Sequence, residues 1–259
     1  MNNKIKLLEV KNLSKFFKKK NSFIYGIKKI LKIIFKKIKL NDDIFLKAFE
    51  DVSFDVYKGE VFCVVGESGC GKTTLGRTIL NLYKQTFGHV IFQGQENISN
   101  IINFRKECQM IFQNPYSSLN PLINVGNIIA EPLEVFKIFN KDKNKRKELI
   151  LETMKFVGLP ASYFEKCPNE LSGGQRQRVG IARSLILKPK LIICDEPISA
   201  LDVSIQAQIL NLFIDLKKKL GLTYIFITHN LTVVKNLADR IMVMYLGHIV
   251  ELTTAEKLF

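Results

Sequence analysis

Gly66-Glu67-Ser68-Gly69-Cys70-Gly71-Lys72-Thr73 is the part of this chain whose residue types and spacing speak most directly of chemistry. It matches the phosphate-loop spacing G-x-x-x-x-G-K-[ST]. Glycines let the backbone turn tightly and aim its N–H groups at phosphate oxygens, and a helix opening behind them adds its positive end. Lys72 is placed to reach the β and γ phosphates of a nucleotide and the Thr73 hydroxyl to ligate Mg²⁺, with Thr74 continuing the same helix start. The competing reading is a plain glycine turn. Cys70 reads as a tolerated small residue, with oxidation sensitivity as the second reading, because a helix N-terminus can acidify a thiol.

A second chemical element is Leu191-Ile192-Ile193-Cys194-Asp195-Glu196. Four apolar residues ending in two carboxylates read as a core strand that presents charge at the ligand edge of a sheet. Asp195 suits Mg²⁺ coordination through water, and Glu196 suits a general base polarising an attacking water. A third element, Leu171-Ser172-Gly173-Gly174-Gln175, is another anion-binding turn, with a Ser hydroxyl and exposed glycine N–H groups at a helix start.

These groups need a scaffold, and the pattern around them supplies one. Val61–Val65 is a short apolar run of the kind buried on both faces of a sheet, and Lys72–Tyr83 is helix-compatible. Further strands are expected at Leu7–Leu13, Phe49–Val56, His89–Phe92, Gln109–Phe112, Leu191–Cys194, Thr223–Ile227 and Ile241–Tyr245. Between Pro121 and Leu187 the spacing is helical instead, at Lys147–Val157 and Gln175–Leu187. Alternating strands and helices imply a parallel sheet covered on both faces, interrupted by a helical insertion.

Composition narrows the class. The chain has 259 residues and is 47% hydrophobic, enough for a large packed core. Apolar runs such as Val61–Val65 fall far short of the roughly 20 residues that span a bilayer. Met1–Leu8 runs into a strand-like segment, not an apolar targeting core. The five cysteines are odd in number and scattered, which fits a reducing cytosol rather than a disulfide framework or zinc site. Net charge is +15, but Lys18–Lys39 holds nine Lys and no acid, leaving 15 − 9 = 6 elsewhere. Within Lys18–Ile44, Ile27, Ile30, Leu31, Ile34 and Ile38 fall at helical spacing between lysines. That basic amphipathic pattern has three readings: a helix packed on its own domain, contact with an anionic membrane or acidic partner, or nucleic-acid binding.

Leu171–Gln175, followed by Arg176-Gln177-Arg178, resembles the signature of ATP-binding cassette (ABC) ATPases. The resemblance implies a P-loop NTPase α/β core of mostly parallel sheet with flanking helices, an antiparallel β subdomain, and a helical subdomain inserted before the signature. The expected division of the single domain is a core at 1–112 and 186–259, a helical subdomain at about 113–185, and the basic insertion at 18–44. It implies ATP and Mg²⁺ as cofactors, with ATP held between the Gly66–Thr74 loop of one subunit and Ser172, Gly173, Gly174 and Gln175 of another. Gln113 matches the glutamine that senses the γ-phosphate and Mg²⁺. Ser199-Ala200-Leu201-Asp202 resembles the loop crossing the dimer interface, and His229 the histidine contacting the γ-phosphate, although taken alone His229 reads as structural. Phe17 is the expected adenine-stacking residue, against a core phenylalanine.

The stretch Gln109–Pro121 with Glu131-Pro132-Leu133, Cys194–Gln208 and Met244–Gly247 resemble the cassettes of oligopeptide and dipeptide importers. Two departures stand out. Many relatives carry a basic residue where this chain has Leu122, and they continue past the equivalent of Leu258, which reads as truncation or reduction here. The implied role is the ATPase of a peptide importer, peripheral at the cytoplasmic face of the cell membrane. Its expected partners are a sister or identical cassette, two membrane-spanning permease subunits and, indirectly, a solute-binding protein, with possible anionic lipid contact through 18–39 and no nucleic acid. The alternative is a soluble ABC ATPase acting on nucleic acid or ribosomes.

Overall fold

A computed structural model describes residues 5–18, 45–96 and 100–259. The basic amphipathic stretch expected at 18–44 lies, apart from Lys18, outside the described residues.

The architecture follows from a strand that is apolar on both faces. β3 (Val61–Gly66) has its first five residues buried, and their side chains separate by parity. Val61, Cys63 and Val65 enter one core, whereas Phe62 and Val64 enter another. Neighbouring strands divide in the same way, so this sheet is the wall between two hydrophobic cores. A period-2 backbone with apolar residues at every position has no other stable place.

The sheet has six strands in the order β10-β9-β3-β8-β7-β6. β6 (Cys108–Ile111), β7 (Leu191–Asp195), β8 (Thr223–Ile227), β3 and β9 (Arg240–Tyr245) run parallel, and β10 (His248–Thr254) closes one edge antiparallel to β9. A second sheet is antiparallel, with order β2-β1-β4-β5, built from β1 (Lys6–Lys18), β2 (Phe45–Tyr57), β4 (Phe87–Phe92) and β5 (Gln95–Glu96). All eight strands expected from the sequence are present.

α1 (Lys72–Ile79) follows β3 directly and is shorter than the expected Lys72–Tyr83, because Leu80 leaves the helix and the chain turns through Asn81 at φ +52°. α2 (Ile101–Glu107) precedes β6. Between β6 and β7 the described elements are helical: α3 (Pro115–Ser118), α4 (Val125–Val135), α5 (Lys143–Phe156) and α6 (Gly173–Leu185). Side chains write several of the starts. Asn124 accepts from Asn127 N and Asp142 from Lys145 N, each satisfying an otherwise unpaired N–H. That contact, above all, holds the Asp142 carboxyl below its usual range. α7 (Val203–Leu220) ends at Gly221 with φ +64°, and α8 (Leu231–Leu237) and α9 (Ala255–Leu258) complete the chain. All five cysteines are free thiols, and four are buried.

Candidate functional site

The parallel strands deliver their C-terminal tips to one edge, and the phosphate loop leaves from β3, between β9 and β8. Two glycines there are obligatory on steric grounds. Gly66 has φ +150°, and a Cβ on it would lie 2.1 Å from the Met244 carbonyl oxygen. Gly71 has φ +106°, with the Ala48 carbonyl oxygen 2.3 Å from the same added atom. The loop thus threads between β9 and β2 with no room for a side chain at Gly66 or Gly71. Gly69 is also left-handed, and Glu67 and Ser68 stand exposed at the rim.

Lys72 is 5% exposed. Its Nζ donates to the carbonyls of Gly66 and Glu67, both at 2.7 Å, and lies 3.8 Å from Cys70 Sγ. The loop is wrapped around this ammonium. α1 starts at Gly71 with no side-chain cap, so its first-turn N–H groups keep their capacity for an anion.

Asp195, at the end of β7, meets α1 where Thr73 Oγ1 donates to its Oδ1 at 2.8 Å. Its Oδ2 is buried with no hydrogen-bond partner. Burial pushes this carboxyl above its ordinary pKa, against the pull of the Thr73 hydrogen bond and the positive charges of Arg77 and Lys72. An orphaned carboxylate oxygen beside a threonine hydroxyl is a hard-oxygen donor pair that fits Mg²⁺. That ion is usually held by one or two protein oxygens together with phosphates. Accordingly, the described residues contain no cluster of three or more His, Cys, Asp or Glu able to cage a metal.

Glu196 follows in a left-handed conformation, φ +45°. Such a backbone costs about 1–3 kcal/mol for a residue other than glycine, and persists only where the surroundings over-determine it. Here they do: Glu196 N donates to Ile227 O at 2.9 Å, and Ser199 Oγ donates to Glu196 O at 3.0 Å. The carboxylate is held on both oxygens. Gln113 Nε2 donates to Oε2 at 2.8 Å, and His229 Nδ1 lies 3.0 Å from Oε1. Gln113 comes from just beyond β6 and His229 from just beyond β8, so β6, β7 and β8 each contribute one member. The fold therefore brings together Lys72, Thr73, Gln113, Asp195, Glu196 and His229, which span 157 positions in sequence (229 − 72).

The signature turn is a separate construction. Ser172 caps α6 in a reciprocal box: Gln175 N donates to Ser172 Oγ at 3.4 Å, and Ser172 N to Gln175 Oε1 at 2.9 Å. Gln175 Nε2 also donates to Tyr163 Oη at 3.2 Å, while Gly174 lies so close to Ile205 that a Cβ would meet its Cγ2 at 2.6 Å. The helix starts at Gly173, two residues before the expected Gln175. Among the described residues, no hydrogen bond links Ser172–Gln175 to the phosphate loop. Ser172 is exposed, as is Asp202, which starts α7 without a side-chain capping bond.

Phe17 belongs to β1 itself, not to a loop after it, and pairs with Leu46. Its half-buried ring packs edge-on against Tyr83 at 5.4 Å, with Lys15 Nζ 4.7 Å from its centre. Sequence reasoning passed over two neighbours of the site, Tyr83 and Arg77, and named Ser199 only as part of the interface loop, not as the hydroxyl that holds the Glu196 carbonyl. Arg77 and Ser199 carried a local signal, since Arg77 lies one helical turn beyond Thr73 and Ser199 is a serine three residues after the strand-end acid.

Residues 49–199 match the family model described as ABC transporter. The oligopeptide transport ATP-binding protein OppF of Bacillus subtilis is 52% identical over 220 residues, covering 83% of this chain and 72% of that protein. The protein of the same name from Streptococcus mutans is 48% identical over 262 residues, covering 99% and 78%. Among solved structures, the dimeric post-hydrolysis ATP-binding cassette MJ0796, bound to ADP and Pi, superposes with a TM-score of 0.78 at 26% identity, over 96% of this chain and 99% of that one. A family match across more than half of the chain, with relatives about half identical along most of it, establishes that this protein belongs to the ABC transporter family as an ATP-binding, ATP-hydrolysing cassette.

Proposed function

We propose that this cassette is the ATPase subunit of a membrane importer for oligopeptides, dipeptides or similar small solutes, acting through ATP-dependent dimerisation of two cassettes. The observation that carries the catalytic part is the Glu196 carboxylate, strained in its backbone and gripped by Gln113 and His229 next to the phosphate loop. Relatives named as oligopeptide transport proteins support the solute class.

In this reading the N–H groups of Gly66–Gly71 and the first turn of α1, including Thr74, cradle the phosphates. Lys72 exchanges its loop carbonyls for phosphate oxygens. Thr73, Asp195 and Gln113 would hold Mg²⁺, which when bound supplies positive charge to the phosphate oxygens. Glu196 takes a proton from the attacking water, and His229 keeps its carboxylate aimed and contacts the γ-phosphate. Phe17 stacks on adenine. Ser172, Gly173, Gly174 and Gln175 close over the ATP of the opposite cassette, with Asp202 at the same interface. The exposure of Ser172 and Asp202, and the separation of the turn from this chain's own phosphate loop, suit such a shared site.

Residues 1–112 and 186–259 then form the ATP-binding core and about 113–185 the helical subdomain. A cleft of about 690 Å³ bordered by Gln113, Asn114, Ser117, Glu131 and Pro132 suits the docking of a membrane subunit. Translocation falls in this reading to two permease partners fed by a solute-binding protein; no helix among the described residues is long and apolar enough to cross a membrane. The cassette sits peripherally at the cytoplasmic face. The test is purification from membranes, identification of the partner chains, and reconstitution of the complex in liposomes. The expected result is ATP hydrolysis stimulated by peptide and its binding protein. Full, unstimulated turnover by a complex with no membrane-embedded chain would overturn the importer reading.

A further inference from the structure

One face of the four-stranded sheet carries a cluster that nucleotide chemistry does not use. Phe16 on β1 pairs with Lys47 on β2, and Lys47 Nζ lies 5.4 Å from the Phe16 ring centre. Two residues on, Lys18 pairs with Phe45. Side chains two apart in a strand share a face, so these four lie on one side, opposite Phe17. Phe87 of β4 joins them, its ring edge-on to Phe16 at 5.9 Å. Phe45 is 53% exposed and Phe87 62%.

Large aromatic rings rimmed by ammonium groups suit an interface that is apolar within and anionic at its rim. Glu50 pairs with Lys47 at 2.8 Å, so within the cluster the charge is modest. The chain adjoining it supplies much more, since Lys18–Lys39 carries nine Lys and no acid and departs from the Lys18–Phe45 pair. An anionic surface attracts both.

We propose that this aromatic–lysine face docks on an anionic phospholipid bilayer. The inference is independent of the solute and of the importer reading. It is tested by sedimenting the whole chain with vesicles of phosphatidylglycerol and phosphatidylcholine, and with vesicles of phosphatidylcholine alone. Binding is expected to the anionic vesicles, weakening as salt rises. Phe45→Ser with Phe87→Ser should weaken it by about tenfold or more, with ATP turnover and thermal midpoint unchanged. Lys18→Glu with Lys47→Glu should weaken it likewise while leaving the rings in place. Equal sedimentation of wild type and both double variants, or no binding by wild type, overturns the proposal. So does variant-sensitive binding to single-stranded RNA with vesicle binding unaffected, which would assign the face to nucleic acid.

Discussion

Replacing Glu196 by Gln isolates the chemical step from almost everything else. The carboxylate is held through Gln113 Nε2 at 2.8 Å and His229 Nδ1 at 3.0 Å. An amide of the same shape can keep both contacts: its oxygen accepts from Gln113, and its NH₂ group donates to His229 Nδ1 once the ring takes the tautomer protonated at Nε2. With no atom lost from the packing and each hydrogen bond replaced, stability should change by less than about 1 kcal/mol. What disappears is the ability to accept a proton from water. A positioned base contributes typically about 10²–10⁴ in rate, which is about 2.7–5.4 kcal/mol of barrier at 1.36 kcal/mol per decade. Single-turnover phosphate release should therefore slow by that factor with nucleotide affinity near wild type, and ATP should accumulate in a dimer visible by size-exclusion chromatography. Turnover within a few-fold of wild type would refute Glu196 as the base. Loss of ATP binding would show instead that its role is in holding the ground state.

Three other outcomes follow from the same geometry. Burial raises the Asp195 pKa, so the folded protein binds this proton more readily than the unfolded chain, and the carboxyl lowers stability progressively as pH rises from the ordinary carboxylate pKa through the raised one. The thermal midpoint of Asp195→Asn minus that of wild type, without nucleotide, should accordingly grow with pH across that window and then level off; a flat or falling difference contradicts the sign. Gly71→Ala adds a clash with the Ala48 carbonyl to left-handed strain and should cost about 3 kcal/mol or more by chemical denaturation, whereas Gly69→Ala, with open space around its Cβ, should cost about 1–2 kcal/mol of backbone strain. Ser172→Ala removes the cap of α6 and should cost about 1 kcal/mol of stability; a larger loss in ATP-driven dimerisation than in stability, read by sedimentation, would support its role at a partner's nucleotide.

Much of this molecule was legible before any coordinates. The apolar runs at Val61–Val65, Leu191–Cys194 and Thr223–Ile227 became central strands, because a segment with no polar face has to be buried on both sides. The phosphate loop was legible because its glycines and lysine are set by local backbone geometry. Other features were masked by their own residues. Pro132 sits inside α4 and reads as a breaker, although Phe136 N still reaches its carbonyl. α7 was overlooked despite Ile205, Ile209, Leu212, Phe213 and Leu216 falling at helical spacing.

Sequence by itself determined the local chemistry: which turn can cradle phosphate, which strand ends in acids, which serine can cap a helix. Only the tertiary structure decided that Gln113, Glu196 and His229 meet, since three parallel strands place their C-terminal tips side by side whatever their separation along the chain. It also decided the strain at Glu196 and the orphaned oxygen of Asp195. Both are set by neighbours from β8 and α1, and no local sequence pattern records who those neighbours are.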